Sequence, residues 1–247
     1  MAGFTLFGFH HAGGSIAAFS GWQRALGPGV EVVPVALPGR GRDGRSPRYD
    51  DLDSLVEALA EDLGPRLSGR HVLYGHSMGA LIAYRLARLR ARRAQRLPEQ
   101  LLVGAFGAPH LRHSSGAAED MTDSELLRWL VDTSDIHADL LSGTERTTVM
   151  LARLREDLRI CRPQHAAERI GVPLSCPIHV FTGTRDPLVD RTAATGWSRH
   201  TSAGCTVHVI PGGHFFPRES KGAFFGELRS LLRGEPTEPV HGVGRTN

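Results

Sequence analysis

Lysine, cysteine and long apolar runs are all scarce in this sequence of 247 residues. Lys221 is the only lysine among 29 basic residues, which we attribute to GC-rich codon usage rather than to chemistry. The three cysteines, Cys161, Cys176 and Cys205, are far apart and never spaced CxxC. Their number and spacing argue against both a disulfide framework and a zinc site. We therefore expect reduced, mostly structural thiols and no metal.

The missing apolar runs and the small net charge exclude further classes of protein. No run of about 18 apolar residues is present, so the sequence predicts no membrane span. Residues 1–14, MAGFTLFGFHHAGG, lack the basic and long apolar segments of a secretion signal and are predicted to contain the first strand instead. A net charge of +3 is too small to indicate a nucleic-acid partner. We expect a cytoplasmic protein that is monomeric by default.

What the sequence does contain is an alternation of short β-rich runs and helical patterns. Between the second and third runs, apolar residues from Leu52 to Leu67 recur at the spacing of a helix with one buried face. Strand and helix alternating in this way predict an α/β fold, with a mostly parallel sheet and helices on both faces. The predicted strands are 4–9, 31–36, 71–74, 101–106, 178–182 and 206–210.

Two segments depart from this alternation. Between about 114 and 164, two helical patterns follow each other without a strand, the first opening with the capping box Thr122-Asp123-Ser124-Glu125. We predict a helical insertion that covers a site as a lid, with a helical decoration that has no gating role as the alternative. Residues 234–247 are polar and rich in Gly and Pro, and we predict a disordered tail after a single domain spanning 1–233.

A candidate nucleophile, Ser77, follows the third predicted strand. It is the centre of GHSMG, and a G-x-S-x-G pattern is expected by chance about 0.2 times in a chain of this composition. Its context is more specific, because a strand runs into it and an alanine- and leucine-rich helix follows, as a nucleophile turn requires. We expect Gly75 and Gly79 to prevent clashes on either side of the serine. The alternative is a glycine-flanked turn without chemistry.

The general base is predicted to be His214. A serine nucleophile needs a base and an acid that orients the base, and in this type of fold the chain order is serine, acid, histidine. His214 lies in a loop just after the last predicted strand, preceded by two glycines that let it reach the serine. The other late histidines lie in a helical stretch, a strand and the tail: His200, His208 and His241.

The orienting acid is predicted to be Asp186. This residue follows a buried strand at its carboxyl end, where open α/β sheets hold their sites, and Pro187 fixes the turn after it. Asp190 is the competitor, but it lies where a helix N-cap is expected.

The oxyanion hole needs two backbone donors. We predict the N–H of Met78, directly after the nucleophile, and the N–H of Ala12 in the glycine-rich loop HHAGG, with His11 as the one-residue alternative. A metal site at the adjacent His10 and His11 is disfavoured, because neighbouring side chains point apart and no carboxylate is nearby.

Taken together, these motifs resemble type II thioesterases, the stand-alone editing thioesterases of polyketide and nonribosomal peptide synthesis. The resemblance rests on HHAGG at 10–14, LPGRG at 37–41, GHSMGA at 75–80, GAP at 107–109, RDPLV at 185–189 and GGHFF at 212–216. It departs from the family at His10, where a proline is usual. The family implies an α/β-hydrolase fold with a helical lid and the same roles for Ser77, Asp186, His214 and Met78. It also implies that no cofactor is needed.

The resemblance further implies a partner, an acyl or peptidyl carrier protein whose phosphopantetheine arm bears the acyl thioester. Arginines at 85–96 and 40–48 offer a surface on which an acidic partner would dock. We interpret most of them instead as a solvated helix end. Two other activities fit the same residues. One is an acyltransferase or cyclase with an acceptor other than water, and the other is a general carboxylesterase or acyl-CoA hydrolase.

Overall fold

A parallel sheet forms the centre of the molecule. The computed structural model describes residues 3–39, 49, 51–111, 121–133, 145–161 and 170–234. Within these ranges six strands pair in the order β2-β1-β3-β4-β5-β6, and every pairing is parallel, which confirms the predicted sheet. The strands are β1 (Phe4–Phe9), β2 (Val30–Pro34), β3 (His71–His76), β4 (Gln100–Gly104), β5 (Ile178–Gly183) and β6 (Cys205–Ile210).

Helices cover both faces of the sheet, each over its own apolar cluster. Helices α2, α3 and α6 pack on one face, and α1 and α8 pack on the other. In the part of the chain that the structure describes, every helix is too short or too polar to cross a bilayer. The helices are α1 (Trp22–Leu26), α2 (Leu52–Leu63), α3 (Met78–Arg92), α4 (Asp123–Thr133), α5 (Glu145–Ile160), α6 (Arg191–Thr195), α7 (Phe216–Glu219) and α8 (Lys221–Arg233).

The burial of α2 and β3 explains why the sequence pattern was informative. The side chain of Asp51 accepts the Ser54 N–H at 2.8 Å and caps α2, and the predicted apolar face of this helix is buried against the sheet. All residues of β3 are buried, as expected for a parallel strand covered on both sides. Burying each large apolar side chain contributes about 1.5–3 kcal/mol to stability, so the packing of α2 and β3 fixes the position of the carboxyl end of β3.

Helices α4 and α5 form the described part of the predicted insertion. The capping box is present, with Glu125 N–H donating to Thr122 Oγ1 at 3.3 Å and Thr122 N–H donating to Glu125 Oε2 at 2.7 Å. Apolar side chains of the two helices form a third, smaller cluster that Ala12 of the loop after β1 also contacts. The predicted segments 114–120, 134–144, 162–164 and 235–247 lie outside the described residues, and the lid function stays a prediction.

The arginines at the end of α3 bind groups of this chain. Arg90 is buried and donates to the carbonyl oxygens of Leu67 at 3.0 Å and Arg96 at 2.8 Å. Three others form ion pairs within the chain: Arg85 with Asp53, Arg93 with Glu57 and Arg96 with Glu99. This pairing agrees with their interpretation as a helix end rather than as a docking surface. The arginines at 40–48 lie outside the described residues.

A buried chain of hydrogen bonds ties α3 to the segment before β6. The Tyr84 hydroxyl lies 2.7 Å from His200 Nδ1, and His200 Nε2 lies 2.8 Å from His110 Nδ1. Arg88 donates to the Tyr84 oxygen at 3.0 Å. Burial lowers the pKa of His200 to about 4, and the positive charges of Arg88 and Arg199 add to this effect. His200 is therefore a neutral link at pH 7.

This link predicts a specific dependence of stability on pH. The unfolded chain takes up a proton near pH 6.5 but folded His200 only near pH 4, so the stabilisation is complete above about pH 6.5 and is lost as the pH falls. In His200→Gln, the slope of unfolding free energy against pH should be smaller by up to about 1.4 kcal/mol per pH unit between these values. Urea unfolding at several pH values measures it.

Tyr84→Phe is the matched control, because it removes a hydrogen bond to His200 but keeps the titrating imidazole. It should lower stability by about 1 kcal/mol at neutral pH and leave the slope intact. An unchanged slope in His200→Gln would contradict the assignment.

Candidate active site

Ser77 occupies a sharp turn between β3 and α3. Its backbone has φ 54° and ψ −120°, a conformation that costs a non-glycine residue about 1–3 kcal/mol. A Cβ at Gly75 would overlap the carbonyl of Gly79, and a Cβ at Gly79 would overlap the carbonyl of Phe9. Both flanking positions therefore require glycine, as predicted. The Ser77 N–H donates to the carbonyl of Gly104 at 2.7 Å, which ties the turn to the neighbouring strand.

Asp186 and His214 are brought together by the adjacent strands β5 and β6. Gly183 is paired with Ile210 in the parallel register, so the loops that follow the two strands leave the sheet side by side. His214 Nδ1 lies 3.0 Å from both carboxylate oxygens of Asp186, whose side chain is fully buried. Because a carboxylate only accepts, Nδ1 carries the hydrogen and donates it. The other ring nitrogen, Nε2, is then an acceptor.

The competing residues have other partners. Asp190 caps α6, with Oδ1 accepting the Ala193 N–H at 2.7 Å, which is the position expected from the sequence. His208 is buried in β6, and its Nδ1 lies 2.7 Å from a carboxylate oxygen of Glu227. His200 belongs to the buried chain with Tyr84, and His241 lies outside the described residues.

Ser77 and His214 line one cavity with a volume of about 50 Å³ at the carboxyl ends of β1 and β3. Sheet order reverses between these two strands, the location where open α/β sheets bind ligands. Within the described residues, no hydrogen bond joins the Ser77 hydroxyl to His214. Such bonds are often long in an unliganded enzyme and tighten when substrate binds.

The two residues predicted to supply the oxyanion donors line the same cavity. Met78 and Ala12 both line it, beside His11. Met78 is the first residue of α3, so its N–H has no acceptor within the helix. Among the described residues, neither the Met78 N–H nor the Ala12 N–H donates to another protein atom. Both groups therefore remain candidate donors to a ligand oxygen.

His76, directly before the serine, contributes a contact that sequence reasoning missed. It is buried, and burial holds its pKa well below the usual value, so the ring is neutral. Its Nε2 lies 2.9 Å from the carbonyl oxygen of His214, and the Tyr74 hydroxyl lies 3.0 Å from its Nδ1. A carbonyl oxygen can only accept, so Nε2–H donates and Nδ1 accepts from Tyr74. His76 thus holds the His214 backbone against the strand that carries Ser77.

A second, larger groove adjoins the cavity. Its volume is about 610 Å³, and it shares the rings of His11 and Phe215 with the cavity, their centroids 4.9 Å apart. Burial lowers the pKa of His11 to about 4, so this wall is uncharged at pH 7. The exposed cations Arg218 and Lys221 line the groove. No cluster of three metal-ligating side chains occurs in the part of the chain described.

The sequence matches the family model of the thioesterase domain over residues 4–232. It is similar to linear gramicidin dehydrogenase LgrE of Brevibacillus parabrevis, with 32% identity over 231 residues that cover 92% of this chain and 87% of that protein. The name of this relative describes a dehydrogenase, whereas the family model describes thioesterases.

Two solved structures are similar over most of their length. One is RedJ, a thioesterase of the prodiginine pathway in Streptomyces coelicolor, with 34% identity, a TM-score of 0.83 and coverage of 92% of this chain and 89% of RedJ. The other is BorB, the type II thioesterase of the borrelidin cluster, with 34% identity, a TM-score of 0.80 and coverage of 94% and 93%. The resemblance seen in the sequence is thereby confirmed. This chain belongs to the thioesterase domain family, shares the α/β-hydrolase fold of type II thioesterases, and is a hydrolase of thioesters.

Proposed function

We propose that this enzyme removes acyl groups from the phosphopantetheine arm of carrier proteins in polyketide or nonribosomal peptide synthesis, with Ser77, His214 and Asp186 as its catalytic triad. The observation that carries the proposal is the shared cavity, which is lined both by a serine held at positive φ and by a histidine that is bonded to a buried carboxylate. The names of RedJ and BorB, which associate them with biosynthetic pathways, support the carrier-protein substrate.

Each proposed step uses a group whose protonation follows from its contacts. His214 Nε2 accepts the Ser77 proton as Oγ attacks the thioester carbonyl. The protonated ring then gives this proton to the departing pantetheine sulfur, which leaves as a thiol, while Asp186 stabilises the imidazolium. In the second half, His214 takes a proton from water, the hydroxide attacks the acyl-enzyme, and the proton returns to Ser77 Oγ as the acid is released.

The negative charge that develops on the carbonyl oxygen is assigned to two backbone donors. Met78 N–H lies at the start of α3, where the helix dipole favours an anion, and Ala12, in the loop after β1, lines the same cavity. Each such donor contributes about 3 kcal/mol to lowering the barrier. Helices α4 and α5 supply much of the opposite wall and would act as the lid.

The cavity favours short acyl groups. Its volume of about 50 Å³ is small. Among the described residues, the cavity walls from α4, α5 and the residue after α5 present no free polar or charged group. The Thr133 hydroxyl donates to the carbonyl of Trp129, and burial raises the pKa of the Cys161 thiol to about 12, so this thiol is neutral at pH 7. We propose acetyl- to butyryl-sized substrates.

The larger groove is suited to the pantetheine part of the thioester substrate. A pantetheine arm is long and polar and ends in a phosphate, and the groove begins at the wall of the catalytic cavity and carries two cations. We assign the arm to this groove, with its phosphate near Arg218 and Lys221. Neither cation forms an ion pair with an acidic residue among those described.

The first test compares hydrolysis of short acyl groups on a carrier protein and on free pantetheine, using wild type and Ser77→Ala. We expect carrier-bound substrates to be hydrolysed faster, and Ser77→Ala to lower kcat by about 10⁴-fold or more. Activity that survives in Ser77→Ala would refute the triad. Equal rates on both substrates would indicate a general thioesterase. Stable acylation of Ser77 that water does not resolve would indicate an acyltransferase.

A second test addresses the acyl cavity. For wild type, kcat/KM should be about tenfold or more higher for short acyl groups, from acetyl through butyryl, than for octanoyl. Trp129→Ala enlarges the cavity and should move this preference toward longer chains. Leu127→Ala is the control, because Leu127 lies on the same helix but does not line the cavity. The assignment fails if Trp129→Ala and wild type rank the acyl chains alike.

A third test addresses the groove. Arg218→Gln combined with Lys221→Gln should raise KM about tenfold for a carrier-bound acetyl group but leave KM for acetyl-N-acetylcysteamine unchanged, since that thioester lacks the phosphate. The exposed Arg92→Gln, on α3, is the control for a general change in charge. Equal effects on both substrates would place the phosphate elsewhere.

A further inference from the structure

A buried carboxylate on α5 contacts the loop that follows β1. Asp157 is fully buried, and its Oδ2 accepts the backbone N–H of Gly13 at 2.7 Å. Leu154 of α5 lies 3.5 Å from the position that a Cβ on Gly13 would occupy, so the helix also packs against the loop. Helix α5 therefore holds this loop by both polar and apolar contacts.

The bond from Asp157 immobilises one peptide unit at both ends. The Gly13 N–H and the Ala12 carbonyl belong to the same planar peptide group. His11 Nδ1 lies 2.9 Å from the Ala12 oxygen and must donate to it, because a carbonyl only accepts. Asp157 binds the N–H of the same group from the opposite element. Gly13 has φ +72°, which permits the bend that presents its N–H to Asp157.

Among the contacts of the described residues, the preceding peptide unit is bound through its carbonyl only. The His11 oxygen accepts from His10 Nδ1 at 2.8 Å and from Gly14 N–H at 3.0 Å. The N–H of this same unit belongs to Ala12, which lines the cavity beside Ser77. Three of the four polar groups in the two units are therefore engaged, and the remaining one is the proposed oxyanion donor. His10, which stands where the resembled family usually has proline, takes part in this arrangement.

We propose that Asp157 is a positioning residue for the oxyanion hole: by binding Gly13 N–H, it fixes the Ala12–Gly13 peptide and so the direction of the Ala12 N–H. Helix α5, which lines the acyl cavity, is then rigidly connected to the loop after β1, which carries one of the two proposed oxyanion donors. Asp157 itself touches no reacting atom. This inference rests on the proposed assignment of Ser77 and Ala12, but it does not depend on the natural acyl group or on a carrier protein.

The test is hydrolysis of p-nitrophenyl acetate by Asp157→Ala and Asp157→Asn. Losing one oxyanion donor lowers kcat by about 10²–10³, so we expect a fall of about 10² in Asp157→Ala with KM changed by less than about twofold. Asp157→Asn retains one acceptor oxygen and should recover about tenfold of the loss. The affinity for a short alkylboronic acid, which forms a tetrahedral adduct on Ser77, should fall in parallel with kcat/KM.

Asp123→Asn is the matched control, because it removes the exposed ion pair between Asp123 and Arg155 at 2.8 Å, which joins α4 to α5 away from the loop. Its kcat and boronic-acid affinity should equal those of wild type. Hydrogen exchange at the Gly13 amide gives a readout that needs no activity, and exchange should be at least about tenfold faster in Asp157→Ala and intermediate in Asp157→Asn.

The outcomes separate this inference from the proposed function. Wild-type kcat and wild-type Gly13 exchange in the Asp157 variants, with Ser77→Ala inactive, would overturn the role of Asp157 and leave the triad standing. Activity in Ser77→Ala would overturn both. A raised KM with unchanged kcat, or an equal loss in Asp123→Asn, would show that Asp157 only supports the helix. If Asp157→Ala does not fold, Asp157→Asn and the exchange measurement still decide the question.

Discussion

The close approach of α3 to the ends of β1 and β3 is the constraint on which the site depends. The first turn of the helix passes so near to the strand ends that its glycine backbone packs directly on the carbonyl of Phe9. This contact forces Ser77 into a strained conformation and at the same time brings the loop after β1 beside it. Buried apolar clusters on both sides of the sheet hold the strands in place, so the strain is maintained by the fold as a whole.

Neutral imidazoles are a second recurring element. Burial lowers the pKa values of His11, His76 and His200, so that each ring has one donor and one acceptor at pH 7. Such rings act as directional connectors between backbone or hydroxyl groups in places where a charged side chain would be costly to bury. His214 differs from them because its Nδ1 is paired with the carboxylate of Asp186, the contact on which its proposed role as general base rests.

The sequence was informative wherever a local rule applies. Alternating strands and helices, the glycines around Ser77 and the order of serine, acid and histidine all depend on short-range sterics or on chain order. The predicted strand 101–106 ends two residues too late, because β4 ends at Gly104. Ala105 adopts a positive φ of 52°, which the sequence does not indicate for an alanine. Asp157 and the carbonyl contact of His76 were not foreseen. Each joins residues more than a hundred positions apart, and hydrophobic periodicity carries no information on such pairs.

The wall formed by His11 and Phe215 has a consequence for the order of events. Under the proposed assignment, the acyl chain and the pantetheine arm lie on opposite sides of these two rings. Because the acyl chain fills the small apolar cavity, the space vacated by the arm gives water a route to the acyl-enzyme. Departure of the thiol thus opens space for the water that the second step consumes. Reversal by the same thiol is then suppressed by its departure rather than by any chemical preference for water.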